Sequence, residues 1–270
     1  MAPTTEPTDP LSMGAPQAPE DDDERVQPRS FGRRVLSWLS EGALIIVGAV
    51  VIATLLRTFV GQMFVIPSGS MENTLQVDDR VLVAKFGGFQ RGDVVVFEDP
   101  GNWLPPSPPS DNPVKNALEF IGVLPNSGTE HLIKRVIGMP GDHVRTTEDG
   151  FLEVNGQKLD ETAYLYASNG VQVAPFTVPF DIIVPKDHIF VMGDHRNASN
   201  DSRCRLADVS QTPGERAFVP VSRVVGSSVA IVAPLQRLST FHVPDTFETV
   251  PDPAQPAPEK PDLIRVEPGC

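Results

Sequence analysis

Two serines and a lysine are the residues of this chain best placed to do chemistry. Ser68 and Ser70 stand in Phe64-Val-Ile-Pro-Ser-Gly-Ser-Met-Glu-Asn-Thr-Leu75, where an apolar run breaks at Pro67 and Gly69 and the backbone can turn sharply enough to present a hydroxyl. Lys134 stands in the apolar segment Leu132-Ile-Lys-Arg-Val-Ile137. A strand there buries the lysine on one face and strips its water, and a desolvated lysine can be a neutral base. A serine hydroxyl is a poor nucleophile until a base takes its proton, and a neutral lysine within hydrogen-bond reach can take it. Read alone, a serine in such a turn is more often structural.

The elements around these residues predict a mainly β domain behind one helix. Apolar segments rich in Val, Ile and Phe recur at Arg80 to Lys85, Asp93 to Phe97, His131 to Ile137, Phe151 to Val154, Ile189 to Met192 and Val224 to Val232, and read as strands. Gly87-Gly88, Pro140-Gly141-Asp142 and Asn155-Gly156 separate them, and Asn-Gly between two strands predicts a tight hairpin. The sheet is therefore expected to be mostly antiparallel. Residues 98–130 hold Pro100, Pro105, Pro106, Pro108, Pro109 and Pro113, then a short helical pattern from Val114 to Ile121. They read as an excursion from the sheet: a surface insert, a lid over the cleft or a membrane-touching flap.

The long apolar stretch is expected to be a transmembrane helix over residues 35–60. Only Gly42 to Leu56 is free of charge, fifteen residues or about 22 Å of helix, which is short for a hydrocarbon core of about 30 Å. Glu41 and Arg57 can snorkel, and Trp38 sits where an interfacial aromatic would, so a single span works. Arg25, Arg29, Arg33 and Arg34 precede it, which predicts a cytoplasmic N-terminus and an extracytoplasmic bulk. Residues 1–34, with the run Glu20-Asp-Asp-Asp-Glu24, are expected to be a disordered tail and not a signal peptide, since they lack an apolar core. Residues 61–243 form the expected catalytic domain. Residues 244–270, with seven prolines, are expected to be a second disordered tail.

A net charge of −13 argues against nucleic acid as a partner, because phosphate binding needs a basic face. Cys204 and Cys270 make no disulfide framework, although they could pair if the tail folded back. No Cys/His cluster has ligand spacing, so no metal and no cofactor are expected.

Four segments in order, Ile66-Pro-Ser-Gly-Ser-Met71, Arg91-Gly-Asp-Val-Val-Val-Phe97, Lys134-Arg-Val-Ile-Gly-Met-Pro-Gly-Asp142 and Gly193-Asp-His-Arg-Asn-Ala-Ser-Asn-Asp-Ser-Arg203, resemble the boxes of type I signal peptidase, a Ser/Lys serine endopeptidase of family S26. The resemblance covers roughly residues 35 to 235 and is loose between Glu98 and Glu130. It implies that Ser70 is the nucleophile and Lys134 the general base. The oxyanion would be held by the Ser70 backbone N–H and the Ser68 hydroxyl. Ser199 aligns with the serine that orients the lysine, and Asp201 and Arg203 with a structural ion pair beside the site. Phe64, Ile66, Pro67, Met71, Leu75, Leu132 and Ile133 match positions that wall the substrate pocket, and bulky walls favour the alanines of Ala-x-Ala cleavage sites. The partners implied are secretory preproteins, the lipid bilayer and the protein-export translocon, at the outer face of a bacterial inner membrane. His195, Asn197 and Ala198 depart from the usual Gly-Asp-Asn-Arg-Asp-Asn-Ser, and Asn73 replaces the proline of Ser-Met-x-Pro-Thr-Leu.

Three other readings compete. Asp194-His195 could belong to a Ser-His-Asp triad, but adjacent strand residues point to opposite faces and no Gly-x-Ser-x-Gly elbow exists. A noncatalytic membrane-tethered β domain that binds exported chains would be expected to have lost Ser70 or Lys134, and both are present. A self-cleaving repressor of similar peptidase fold would need a DNA-binding head in place of the acidic first 34 residues.

Overall fold

A computed structural model describes residues 31–59, 61–101, 103, 104, 112, 113 and 131–269. The expected tail over residues 1–30 and the helical pattern from Val114 to Ile121 lie outside the described residues. The chain divides into two compact units at Ile46, inside the helix α1 (Phe31–Phe59). This helix starts four residues before the expected Val35, taking in Arg33 and Arg34, because a helix needs no apolar side chains in its first turn. Its 29 residues make about 43 Å at 1.5 Å each, so the short uncharged stretch does not limit its length. Trp38–Leu55 is long and apolar enough to cross a membrane, and none of that window is buried inside the protein.

The rest of the described chain is mainly antiparallel β structure. The strands are β1 (Gly61–Val65), β2 (Arg80–Ala84), β3 (Val94–Glu98), β4 (His131–Gly138), β5 (His143–Thr146), β6 (Leu152–Val154), β7 (Gln157–Lys158), β8 (Ala167–Ser168) and β9 (Val171–Gln172). They continue with β10 (Phe180–Ile183), β11 (His188–Met192), β12 (Val219–Pro220), β13 (Val224–Ala233), β14 (Ser239–Thr240) and β15 (Asp262–Val266). One eight-stranded sheet runs β1-β2-β13-β3-β4-β11-β12 with β14 beside β13, a five-stranded sheet runs β15-β10-β5-β6-β7, and β8 and β9 form a separate hairpin. Each strand expected from the Val/Ile/Phe runs is present within a residue or two. Asn155 and Gly156 both take positive φ, as the two-residue turn joining β6 to β7 requires.

β4 explains why the site can be dry. From Leu132 to Gly138 every residue is buried, so both faces of the strand are covered and its sequence is continuously apolar apart from Lys134 and Arg135. β3 pairs along its length, from Val94 opposite Arg135 to Glu98 opposite His131. β11 pairs only as far as Met192 opposite Arg135.

The C-terminal expectation is corrected. Residues 244–269 are built into the fold: Phe247 and Val250 are buried in the main core, and β15 adds an edge strand with Phe180 opposite Val266. Asn155 donates to the Pro251 carbonyl and the Lys186 N–H to that of Pro258. An edge strand needs backbone pairing and a few apolar anchors, which a proline-rich acidic composition conceals. A Cβ on Gly92 would lie 2.7 Å from the Phe247 ring, so the turn after Arg91 is shaped to receive this segment. Cys204, whose pairing the sequence leaves open, is disulfide-bonded; Cys270 lies outside the described residues.

Candidate active site

The serine turn sits where β11 leaves β4. After β1 the chain forms a short 3₁₀ turn over Gly69–Met71, closed by the Glu72 N–H donating to the Gly69 carbonyl. A Cβ on Gly193 would lie 2.5 Å from the Ser70 carbonyl and 2.2 Å from Ser199 Oγ. Only glycine lets the end of β11, the serine turn and Ser199 pack this closely.

Ser70 Oγ lies 2.7 Å from Lys134 Nζ, and the same nitrogen donates to the Ile133 carbonyl at 2.9 Å. Both side chains are buried, Ser70 to 6% exposure and Lys134 to 3%. Burial pulls the ammonium from an ordinary 10.5 down to about 8, against the opposing pull of Asp201 and Asp194. An amine neutral in mildly alkaline solution, at hydrogen-bond distance from a hydroxyl, can take the hydroxyl's proton. Ser68, more exposed, places its hydroxyl 3.4 Å from Ser70 Oγ.

Asp201 and Arg203 form a two-pronged ion pair at 2.9 and 2.8 Å. Burial works to raise the Asp201 carboxyl, but Arg203, the Gly193 N–H and the Ser199 hydroxyl together hold it below its ordinary value. Asp201 also caps the short helix α2 (Ser202–Arg205) through the Arg203 N–H. Ser199 is buried beside Gly193.

Of the expected pocket residues, Phe64, Ile66, Met71, Leu75 and Ile133 share one buried cluster. Pro67 lies at its rim, exposed. Leu132 is not with them: it packs with Val95, Phe97 and Trp103 in a separate cluster, because neighbours in a strand point to opposite faces.

Several supporting residues carried little sequence signal. Arg135 grips Asp194 with two nitrogens at 2.8 and 2.6 Å and donates to the Gly92 carbonyl at 2.7 Å. Thr74, at the end of the serine segment, donates to the same carboxylate. Arg196 is buried against Glu161, which also accepts from the Tyr164 hydroxyl. Arg91 and Asp142, from two of the four quoted segments, pair at 2.6 and 2.9 Å and tie those segments together. A basic residue directly after Lys134 was the one hint of Arg135's role. Among the described residues the His195 ring has its polar contacts with Gly69 and Glu72 and not with Ser70 Oγ, so His195 forms no triad with Ser70.

A family model for signal peptidase, peptidase S26, matches residues 39–233. The chain is 36% identical over 252 residues to a signal peptidase I of Mycobacterium tuberculosis, covering 83% of this chain and 82% of that protein. It is 34% identical over 226 residues to a signal peptidase I of Leptolyngbya laminosa, covering 82% of this chain and 93% of that one. A crystal structure of a signal peptidase I from Enterococcus faecalis is 22% identical, covering 52% of this chain and 97% of that one, with a TM-score of 0.28; that overlap is too loose to argue from. With the family model spanning most of the folded chain and relatives above 30% identity along their length, this chain belongs to the peptidase S26 family and is a hydrolase of the signal peptidase I kind.

Proposed function

We propose that this enzyme is a membrane-anchored serine endopeptidase that cuts signal peptides at Ala-x-Ala sites with Ser70 as nucleophile and Lys134 as general base. The observation that carries this reading is the 2.7 Å approach of Ser70 Oγ to a buried Lys134 Nζ whose proton is held weakly. Neutral Lys134 takes the Ser70 proton as Oγ attacks the scissile carbonyl, then gives it to the departing amine of the mature protein. The acyl ester left on Ser70 is hydrolysed by a water that Lys134 activates in turn. The developing oxyanion lies between the Ser70 N–H and the Ser68 hydroxyl. Ser199, buried beside Gly193, orients Lys134 through the packed end of β11, and the Asp201–Arg203 pair holds that end in place.

An extended substrate has a strand edge to bind. Beyond Met192 opposite Arg135, β11 pairs with no further residue of β4 among those described, so backbone at Leu132 to Lys134 is available on that side for β-augmentation. The cluster of Phe64, Ile66, Met71, Leu75 and Ile133 walls the small pockets there. Anchoring by α1 with the N-terminus cytoplasmic follows from its apolar window and the preceding arginines. Exposed Met63, Leu82, Phe86, Leu235 and Leu238 give the β domain an apolar surface suited to resting on the bilayer. The proline-rich insert 98–130 and the translocon stay outside this reading.

The test uses the full chain in detergent with a preprotein bearing an Ala-x-Ala site and locates the cut by mass spectrometry. Cleavage after the second alanine, lost in Ser70→Ala, is expected. Ser68→Ala should cut turnover about 100- to 1000-fold at an unchanged site. Full activity in Ser70→Ala, or cleavage elsewhere, would refute the proposal.

A further inference from the structure

His195 touches the serine turn twice. Its backbone N–H donates to the Ser70 carbonyl at 3.1 Å. Its ring Nδ1 lies 3.3 Å from the Gly69 carbonyl and 2.8 Å from Glu72 Oε2. Both of those neighbours are acceptors, so Nδ1 carries the hydrogen and shares it between them. The ring is stacked on Tyr166 with centroids 3.8 Å apart and planes 25° from parallel, and the Tyr166 N–H donates to the Asp194 carbonyl. Ring rotation is thus opposed from two sides.

The atoms held are the informative part. The Gly69 carbonyl and the Ser70 N–H belong to one rigid peptide unit, since the peptide bond is planar. The Ser70 carbonyl belongs to the next. His195 therefore fixes both peptide planes that flank the Ser70 Cα, one by its side chain and one by its main chain. The side-chain bond sets where the Ser70 N–H points and, by drawing electron density through the Gly69 carbonyl, makes that N–H a better donor. Glu72 keeps Nδ1 turned toward Gly69, and a Cβ on Gly69 would lie 2.9 Å from the Glu72 carboxylate, which would have to shift to make room.

We infer that His195 is a positioning residue for the reaction: through Nδ1, held by Glu72 and Tyr166, it aligns the Ser70 N–H with the developing oxyanion. This inference rests on the reading of Ser70 as nucleophile. It separates His195 from a catalytic base, since its ring has no contact with Ser70 Oγ among its polar contacts.

Steady-state cleavage of a signal-peptide substrate by the full chain in detergent tests it, with His195→Phe, His195→Asn and Ser70→Ala run in parallel. Phe keeps an aromatic ring for Tyr166 but removes the donor; Asn restores an N–H at similar reach. His195→Phe should lower kcat about 10- to 100-fold with KM within about twofold, less than the loss of a whole oxyanion donor because the N–H is misaligned and not removed. His195→Asn should recover most of that loss. If Ser70→Ala is inert and His195→Phe turns over within about twofold of the parent, the inference fails and the nucleophile stands. A loss that Asn does not rescue, or one carried by KM or by a lowered melting temperature, also overturns it, as a structural role would. An active Ser70→Ala enzyme overturns the nucleophile and this inference together.

Discussion

The two faces of β4 bury neighbouring cations and treat them in opposite ways. Arg135, 3% exposed, meets Asp194 in a two-pronged pair, the Gly92 carbonyl, and the Tyr164 ring 4.3 Å from its guanidinium carbon. Burial is the largest single effect and works to lower its proton affinity, but the Asp194 charge, the hydrogen bonds to that carboxylate and Tyr164 together hold the guanidinium above its ordinary value. Lys134, equally buried, meets a hydroxyl and a carbonyl, and no carboxylate ion pair to it occurs among the described residues. The comparison isolates what makes a buried cation reactive. Desolvation acts on both; a carboxylate in direct contact offsets it at Arg135, whereas at Lys134 the Asp201 and Asp194 charges act without an ion pair and burial wins. One face of the strand spends its charge on holding the turn segments together, and the other leaves a base ready.

The largest effect comes from giving Lys134 the character of its neighbour. Lys134→Arg replaces an amine that can be neutral with a guanidinium that stays protonated. Cleavage of a preprotein should fall by at least about 10⁴-fold, the order of loss when a nucleophile's activating partner is removed, with the protein still folded by circular dichroism. Measurable turnover in this variant would show that another group takes the Ser70 proton.

The converse change strips Arg135 of its partner. Asp194→Ala leaves a buried guanidinium unpaired, and such breakage costs about 3–5 kcal/mol. Thr74 loses its acceptor at the same time. Urea unfolding should show that loss in the midpoint, and the same substitution at the exposed Asp149, paired with Lys158 at the surface, should move the midpoint far less, since exposed pairs contribute little. Equal losses at the two sites would contradict the structural role assigned to the Arg135 face.

How far the sequence announces these features differs between the faces. Ser70 and Lys134 stand out in short local patterns, a turn broken by Pro67 and Gly69 and an apolar strand with one amine facing inward, although their pairing is implied only by the four ordered segments. The strands from Arg80 to Val232 and the Asn155-Gly156 hairpin are readable for the same local reason. Arg135 and Asp194 stand 59 positions apart, and Arg196 and Glu161 35 apart, so no window of sequence holds both partners. Leu132 falls in a different cluster from Ile133 because adjacency in sequence is opposition in a strand. By composition residues 244–269 read as a tail, because seven prolines obscure Phe247, Val250 and the edge strand β15.

The smallest effect is also the sharpest test of the contrast, because it reads the proton itself. Neutral Lys134 is the active form, so turnover should rise about tenfold per pH unit below pH 8 and level off above it, given the value of about 8. Stability should follow with its own sign. Lys134 binds its proton less tightly in the folded chain, about 8, than in the unfolded one, 10.5. Between those values the unfolded state holds more protons, and folding stability rises with pH. Below pH 8 both states are protonated and the full penalty of a buried ammonium applies, roughly 3 kcal/mol at about 1.4 kcal/mol per pH unit. Urea titrations from pH 7 to 10.5 on the parent and on Lys134→Met should therefore differ: the parent gains stability relative to Met as pH rises. Arg135 should add nothing to this difference, since its proton is held above the range. Curves that stay parallel across the range would mean that Lys134 keeps its ordinary affinity when buried, and the contrast between the two faces would lose its physical basis.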